Sequence, residues 1–178
     1  MRPLIVVVMG VAGCGKTTLG AALADRLRAP FIEGDTHHPK RNVEKMAAGV
    51  PLTDEDRWPW LDQLGGALAS AAGRQGSVVG ACSALRRVYR ERLSTAAGLP
   101  IRFVCLSGSG ALIAKRMQSR SGHFMPVSLL ESQLALLELP APEEAAVVLP
   151  LSAAIPDLID RTLGWLAVPP AVTDGAGE

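Results

Sequence analysis

A continuous apolar run, Leu4-Ile5-Val6-Val7-Val8-Met9, begins the patterned part of the chain. Such a run, without polar alternation, is the mark of a parallel strand buried on both faces. After a glycine-bearing turn, Leu19, Leu23 and Leu27 recur at every fourth position among alanines, which predicts a helix from Thr18 to Arg28. Pro30 breaks that helix, and Phe31-Ile32-Glu33 reads as a short second strand ending in the turn Gly34-Asp35. Thr53 with Asp56 three residues later has the form of a capping box, so a helix begins there and runs through Trp60, Leu61, Leu64 and Leu68 to about Gly73. Further strands are expected from Ser77 towards Ser83, over Ile101 to Leu106 and over Ala145 to Leu149. Helices are expected over Arg86 to Ala97, Ala111 to Arg120, Val127 to Leu137 and Ile155 to Leu166. Strands alternating with helices predict an α/β three-layer sandwich around a parallel five-stranded sheet. Residues 1–168 form one domain, and the Pro-, Gly- and Ala-rich tail 169–178 is expected to fray.

Composition narrows the function classes. The chain has 178 residues, enough for one full core, and a formal net charge of +1. No global field recruits nucleic acid or a membrane, so any basic site must be local. With three tryptophans, one tyrosine and three phenylalanines, a charged groove that stacks bases would be hard to build. The six-residue apolar run is too short for a signal peptide or a membrane span. Cys14, Cys82 and Cys105 lack metal-site spacing, and an odd cysteine count without a secretion signal points to free thiols in the cytoplasm.

Gly10-Val-Ala-Gly13-Cys14-Gly15-Lys16-Thr17 matches the phosphate-cradling pattern G-x-x-x-x-G-K-[ST] and lies between the first strand and first helix, where that pattern has mechanical meaning. A glycine turn there aims several backbone N–H groups at one spot, and the helix dipole adds positive potential. Gly10, Gly13, Cys14, Gly15, Lys16, Thr17 and Thr18 are therefore the expected ATP contacts. Lys16 would reach the outer phosphates and Thr17 would ligate Mg2+. Cys14 stands where a helix N-terminus is able to lower a thiol pKa, but the favoured reading is a small residue filling a variable loop position. Ligands of open parallel sheets bind beyond the carboxyl ends of the strands. Asp35 falls there, placed to orient and deprotonate an acceptor hydroxyl. No acidic residue follows the third strand, where many triphosphatases keep a magnesium-binding Asp. The expected Mg2+ shell is thus Thr17, phosphates and water, with Asp35 behind them.

Gly34-Asp35-x-x-His38-Pro39-x-x-Asn42-x-x-Lys45-Met46 resembles the substrate signature of the gluconate kinases. The stretch from Gly49 through Pro51-Leu52-x-Asp54-x-Asp56-Arg57-x-Pro59-Trp60-Leu61 is similar to that family's next motif, as is Cys82-Ser83-Ala84-Leu85-Arg86-x-x-Tyr89-Arg90. Arg120-Ser121-Gly122-His123-Phe124, followed by Leu129-Leu130-x-Ser132-Gln133 and Leu137-Glu138-x-Pro140, resembles its lid. The resemblance spans residues 4–150. It implies a P-loop, nucleoside-monophosphate-kinase-like fold with a helical lid over about 116–140. It also implies a homodimer and ATP-dependent phosphorylation of D-gluconate at its terminal hydroxyl.

The residue chemistry agrees with that implication. A sugar acid needs a fixed cation, hydrogen-bonding side chains and a carboxylate at its reactive end. The candidate substrate residues are Asp35, His38, Asn42, Lys45, Arg57, Ser83, Arg86, Arg90, His123 and Gln133. His38, Asn42 and Lys45 are expected on one face of a single short helical segment. Competing readings make Arg86, Arg87 and Arg90 a solvated basic face and pair Arg57 with Asp54 or Asp56. Arg116 and Arg120 are the expected lid arginines, closing on the phosphates, with Arg120 grouped with Lys16 and Asp35 as catalytic. Departures from the family pattern are Arg86 in place of lysine, Ser121 in place of lysine, and Leu149-Pro150-Leu151-Ser152 in place of an acidic turn beside the adenine. The rival functions are a kinase for another hydroxy acid such as shikimate, and a nucleotide-binding regulator without catalysis.

Overall fold

The N-terminal apolar run becomes the middle of the molecule. The computed structural model describes residues 3–118 and 127–168. In it β1 (Leu4–Met9) lies between β3 (Ser77–Ala81) and β4 (Ile101–Ser107), with β2 (Phe31–Glu33) and β5 (Ala146–Pro150) at the edges. All four pairings are parallel, giving the order β2-β3-β1-β4-β5. Because successive side chains of a strand point to opposite faces, β1 feeds both cores. Ile5, Val7 and Met9 join Trp60, Leu61, Leu64, Tyr89 and Leu93 from α3 (Asp54–Gln75) and α4 (Arg87–Ala97). Val6 and Val8 join Leu19 and Leu23 of α1 (Lys16–Leu27) and Leu158 of α7 (Ile155–Ala167). Ile5 through Met9 expose nothing to solvent, which explains a run without polar interruption. The three-layer α/β sandwich with five parallel strands is as expected from the alternation.

The remaining α-helices are α2 (Lys40–Ala47), α5 (Gly110–Gln118) and α6 (Val127–Leu136). The expected segment carrying His38, Asn42 and Lys45 differs in detail. A 3-10 turn over Gly34–His37 leads to His38 in extended conformation, and only Asn42 and Lys45 are on α2. Pro39 is the reason, since the residue before a proline is pushed out of the helical region. Thr53 caps α3 as a capping box, its hydroxyl accepting the Asp56 N–H while the Asp56 carboxylate accepts the Thr53 N–H. Arg120, Ser121, Gly122, His123 and the tail 169–178 lie outside the described residues.

Gly34 sets the height of the turn that carries Asp35. A Cβ there would stand 2.2 Å from the Ala81 carbonyl oxygen of the neighbouring strand, and the Gly34 carbonyl itself accepts the Trp60 indole N–H at 2.8 Å. Gly34→Ala must therefore push β2 away from β3. The expected loss is about 1–3 kcal/mol in urea unfolding, together with a fall in turnover as Asp35 is displaced.

Candidate active site

The loop between β1 and α1 is shaped by three glycines at positive φ, Gly10 at 142°, Gly13 at 77° and Gly15 at 103°, a region that side-chain-bearing residues avoid. Gly15 caps α1 without a side-chain hydrogen bond, so the first N–H groups of the helix are left for an anion. Lys16 folds over the loop and donates from Nζ to the Val11 carbonyl at 3.0 Å. The exposed Thr17 hydroxyl donates to Glu33 Oε2 at 2.6 Å.

A cleft of about 640 Å3 extends from this loop across the ends of the strands. Gly13, Gly15, Lys16, Thr17 and Thr18 line one wall, and Asp35, His38 and Arg57 line the other. Ser83 joins them from the end of β3, and Gln133 reaches in from α6, where its Oε1 accepts the Ala12 N–H at 2.6 Å. Phosphate-loop and acceptor-side candidates thus share one space. A second cavity of about 490 Å3 opens on the far side of the loop, with Cys14, Arg116, Leu151, Ser152 and Ile155 among its walls.

Comparison with known proteins decides the lineage of this site. A family model described as an AAA domain matches residues 5–140. The gluconokinase of Gluconobacter oxydans (strain 621H) is 50% identical over 147 residues, covering 83% of this chain and 82% of that one. The chain belongs to the gluconokinase family. Among solved structures, a gluconokinase from Sinorhizobium meliloti 1021 is 46% identical with a TM-score of 0.83, covering 94% of each chain. An unliganded sugar kinase from Janibacter sp. HTCC2649 is 45% identical with a TM-score of 0.88, covering 96% of this chain and 98% of the other.

Several residues expected to touch substrate in this gluconokinase-family chain instead face other protein groups. Arg90 is 1% exposed and does not line the cleft. Its guanidinium makes a double contact with Glu144, at 2.6 and 2.8 Å, and donates to the carbonyls of Ala84, Leu85 and Glu138. Arg86, one turn earlier at the N-cap of α4, pairs with Asp54 at 2.9 Å and Glu138 at 3.1 Å. Neither is the solvated face of the competing reading. Lys45 is bound to Asp56 at 2.7 Å, and Asn42 is wholly buried with its amide on the Asp56 carbonyl at 2.7 Å. Arg57 does line the cleft, while donating to the Leu52 carbonyl at 2.6 Å and standing 3.7 Å from Asp54. Gly10 and Cys14 belong to the loop but do not line the cleft: Gly10 donates its N–H to the Ser83 carbonyl, and Cys14 lines the second cavity.

The electrostatics follow from these partners. Burial pushes the Cys14 thiol up despite Lys16 nearby, in keeping with a small loop residue rather than an activated thiol. Burial, with Arg57 adding to it, lowers His38 to about 4, so its ring is neutral at pH 7. The hydrogen bond from Lys45 and then that from the Thr53 N–H hold the Asp56 carboxyl at about 2. Glu33 is a cleft-lining carboxylate that the sequence pattern places only in a strand. Its acidic side chain at the last position of β2, just before Gly34-Asp35, was the available signal. Trp60, placed by the sequence on the helix that follows Thr53, is buried in the core, and it also lines the cleft.

Arg90→Ala would leave the partly buried Glu144 without its cation and remove the donor that Arg90 supplies to the Ala84 and Glu138 carbonyls. Breaking a buried pair from one side costs about 3–5 kcal/mol, which urea unfolding of the variant reads directly.

Proposed function

We propose that this chain transfers the terminal phosphoryl group of ATP to the terminal hydroxyl of D-gluconate, giving 6-phospho-D-gluconate and ADP. The observation that carries the reading is the single cleft in which Lys16 and Thr17 face Asp35, His38 and Arg57. The loop N–H groups and Lys16 bind the phosphates. Asp35 takes the proton of the terminal hydroxyl as that oxygen attacks the γ-phosphorus, and the bond to the β-phosphate oxygen breaks to release ADP. Arg57 supplies the cation for the sugar-acid carboxylate, and Ser83, His38 and Gln133 supply hydrogen bonds to it or to the hydroxyls. Arg116 and Arg120 serve as phosphate-side arginines of the lid, and His123 as a substrate residue. Arg86 and Arg90 act by holding the walls.

Thr17 and Glu33 are the residues to hold Mg2+, directly or through water. Their hydroxyl and carboxylate oxygens meet at 2.6 Å, a hard-oxygen set of the kind that ion takes. When bound, the ion neutralises charge on the phosphoryl oxygens. The same reading includes a homodimer in the cytoplasm. Three free, buried cysteines suit a reducing compartment, and no helix among the described residues is long and apolar enough to cross a membrane.

Asp35→Asn is expected to keep ATP affinity and to lower gluconate turnover by about 10²–10⁴-fold. An ADP-release assay with ATP, magnesium and gluconate, run beside shikimate and a no-acceptor control, measures it. Unchanged turnover would remove Asp35 from the mechanism, and turnover with shikimate alone would reassign the acceptor. Glu33→Gln should raise the magnesium concentration needed for half-maximal rate several-fold while leaving the gluconate KM unchanged.

A further inference from the structure

The Asp56 carbonyl oxygen has lone pairs and no proton. The group of Asn42 that faces it at 2.7 Å must therefore be the amide NH2, because Oδ1 in that place would set acceptor against acceptor. This contact fixes the orientation of the Asn42 amide without reference to any other side chain. The second proton of the same nitrogen points to His38 Nδ1 at 3.3 Å. An amide nitrogen cannot accept a hydrogen bond, so His38 Nδ1 must. A neutral imidazole that accepts at Nδ1 carries its proton on Nε2. That atom is on the ring edge turned away from Asn42. The ring is held in plane by stacking on Trp60, with centroids 4.0 Å apart and 17° between planes, and it lines the cleft.

The arrangement is bought at a visible cost. Asn42 is fully buried, and its Oδ1 has no hydrogen-bond partner. A side chain needed only to satisfy the Asp56 carbonyl would not require an amide whose oxygen stays orphaned. The protein keeps both donors of one nitrogen in use and leaves the acceptor idle.

We infer that Asn42 is a positioning residue that locks His38 as the Nε2–H tautomer, so that the cleft presents a neutral hydrogen-bond donor to an acceptor oxygen of the sugar acid. This rests on the gluconate reading above for the identity of the acceptor, and on geometry alone for the tautomer. The charged groups around the ring are Arg57 from α3, Glu33 and Asp35 from the end of β2, and the Lys45–Asp56 pair linking α2 to α3. A donor that carries no charge distinguishes oxygens by direction, and leaves to Arg57 the attraction of the carboxylate.

The deciding measurement is a two-bond 1H–15N correlation spectrum of the ring nitrogens in the histidine-labelled protein at pH 7, with no ligand. The chain has three histidines, and His38→Gln identifies the signal by removing it. A pyridine-like Nδ1 with a protonated Nε2 is expected. A protonated Nδ1, or a doubly protonated ring, would overturn the inference whatever the enzyme phosphorylates. Asn42→Ala should allow the Nδ1–H form to appear in the same spectrum; retention of the Nε2–H form alone would show that Asn42 does not set it. Kinetics supply the second arm, independent of whether the Asn42 variant folds. A glutamine nitrogen takes the place of Nε2 and an asparagine nitrogen that of Nδ1. His38→Gln should therefore keep the gluconate KM within about 3-fold, and His38→Asn should raise it about 10-fold, the worth of one hydrogen bond, with the ATP KM unchanged in both. Equal gluconate KM values for the two variants would remove the donor role. Absence of gluconate turnover in the wild type would refute the acceptor while leaving the tautomer to the spectrum.

Discussion

A guanidinium that is 1% exposed has to be paired on every side, and the pairing of Arg90 holds together the acceptor half of this molecule. Five donors in a rigid fork meet the Glu144 carboxylate and the carbonyls of Ala84, Leu85 and Glu138. Those partners belong to two separate segments, the turn after β3 and the chain running from α6 into β5. Ala84 is held at φ 42°, a left-handed conformation that a residue with a Cβ adopts only when its surroundings impose it. Its neighbours Ser83 and Leu85 line the cleft as a result. The Glu138 N–H donates to the Leu85 carbonyl, and its side chain accepts from the Arg87 N–H and from Arg86. One buried cation thereby connects the floor of the cleft to the C-terminal end of α6, so the wall that carries Gln133 is referenced to the wall that carries Ser83.

The fold was legible because its signals are local. An uninterrupted apolar run, leucines at every fourth position and a Thr53–Asp56 capping box each report on a few consecutive residues, and each became the element it predicts. The phosphate loop was legible for the same reason. The acceptor wall was only partly so, because what a charged side chain does there depends on a partner distant in sequence. Arg86 and Arg90 are one turn apart on a helix and look equivalent as text. Glu144, fifty-four positions beyond Arg90, makes one of them wholly internal. Lys45 and Asn42 likewise meet Asp56 across eleven and fourteen positions. Glu33 escaped notice for the opposite reason, since a three-residue edge strand offers no periodicity from which an odd polar position stands out.

These pairings also determine where field remains in the cleft. A charge held against its opposite at 2.6–2.9 Å, as Arg90 is with Glu144, Arg86 with Asp54 and Lys45 with Asp56, acts at a distance as a dipole. Its influence falls off faster than that of a single ion, and surrounding salt weakens it further. The potential at the reacting atoms is consequently set by the groups that line the space itself: Lys16, Glu33, Asp35 and Arg57, with the loop N–H groups and the N-terminus of α1. Both ligands of the proposed reaction are anions, yet the chain carries a net charge of only +1. Long-range attraction is therefore a minor part of their capture, and recognition falls to short-range donors with fixed directions. Backbone N–H groups suit that task on the nucleotide side because they carry direction without mobile charge. A neutral imidazole held by stacking and by an amide suits it on the acceptor side for the same physical reason.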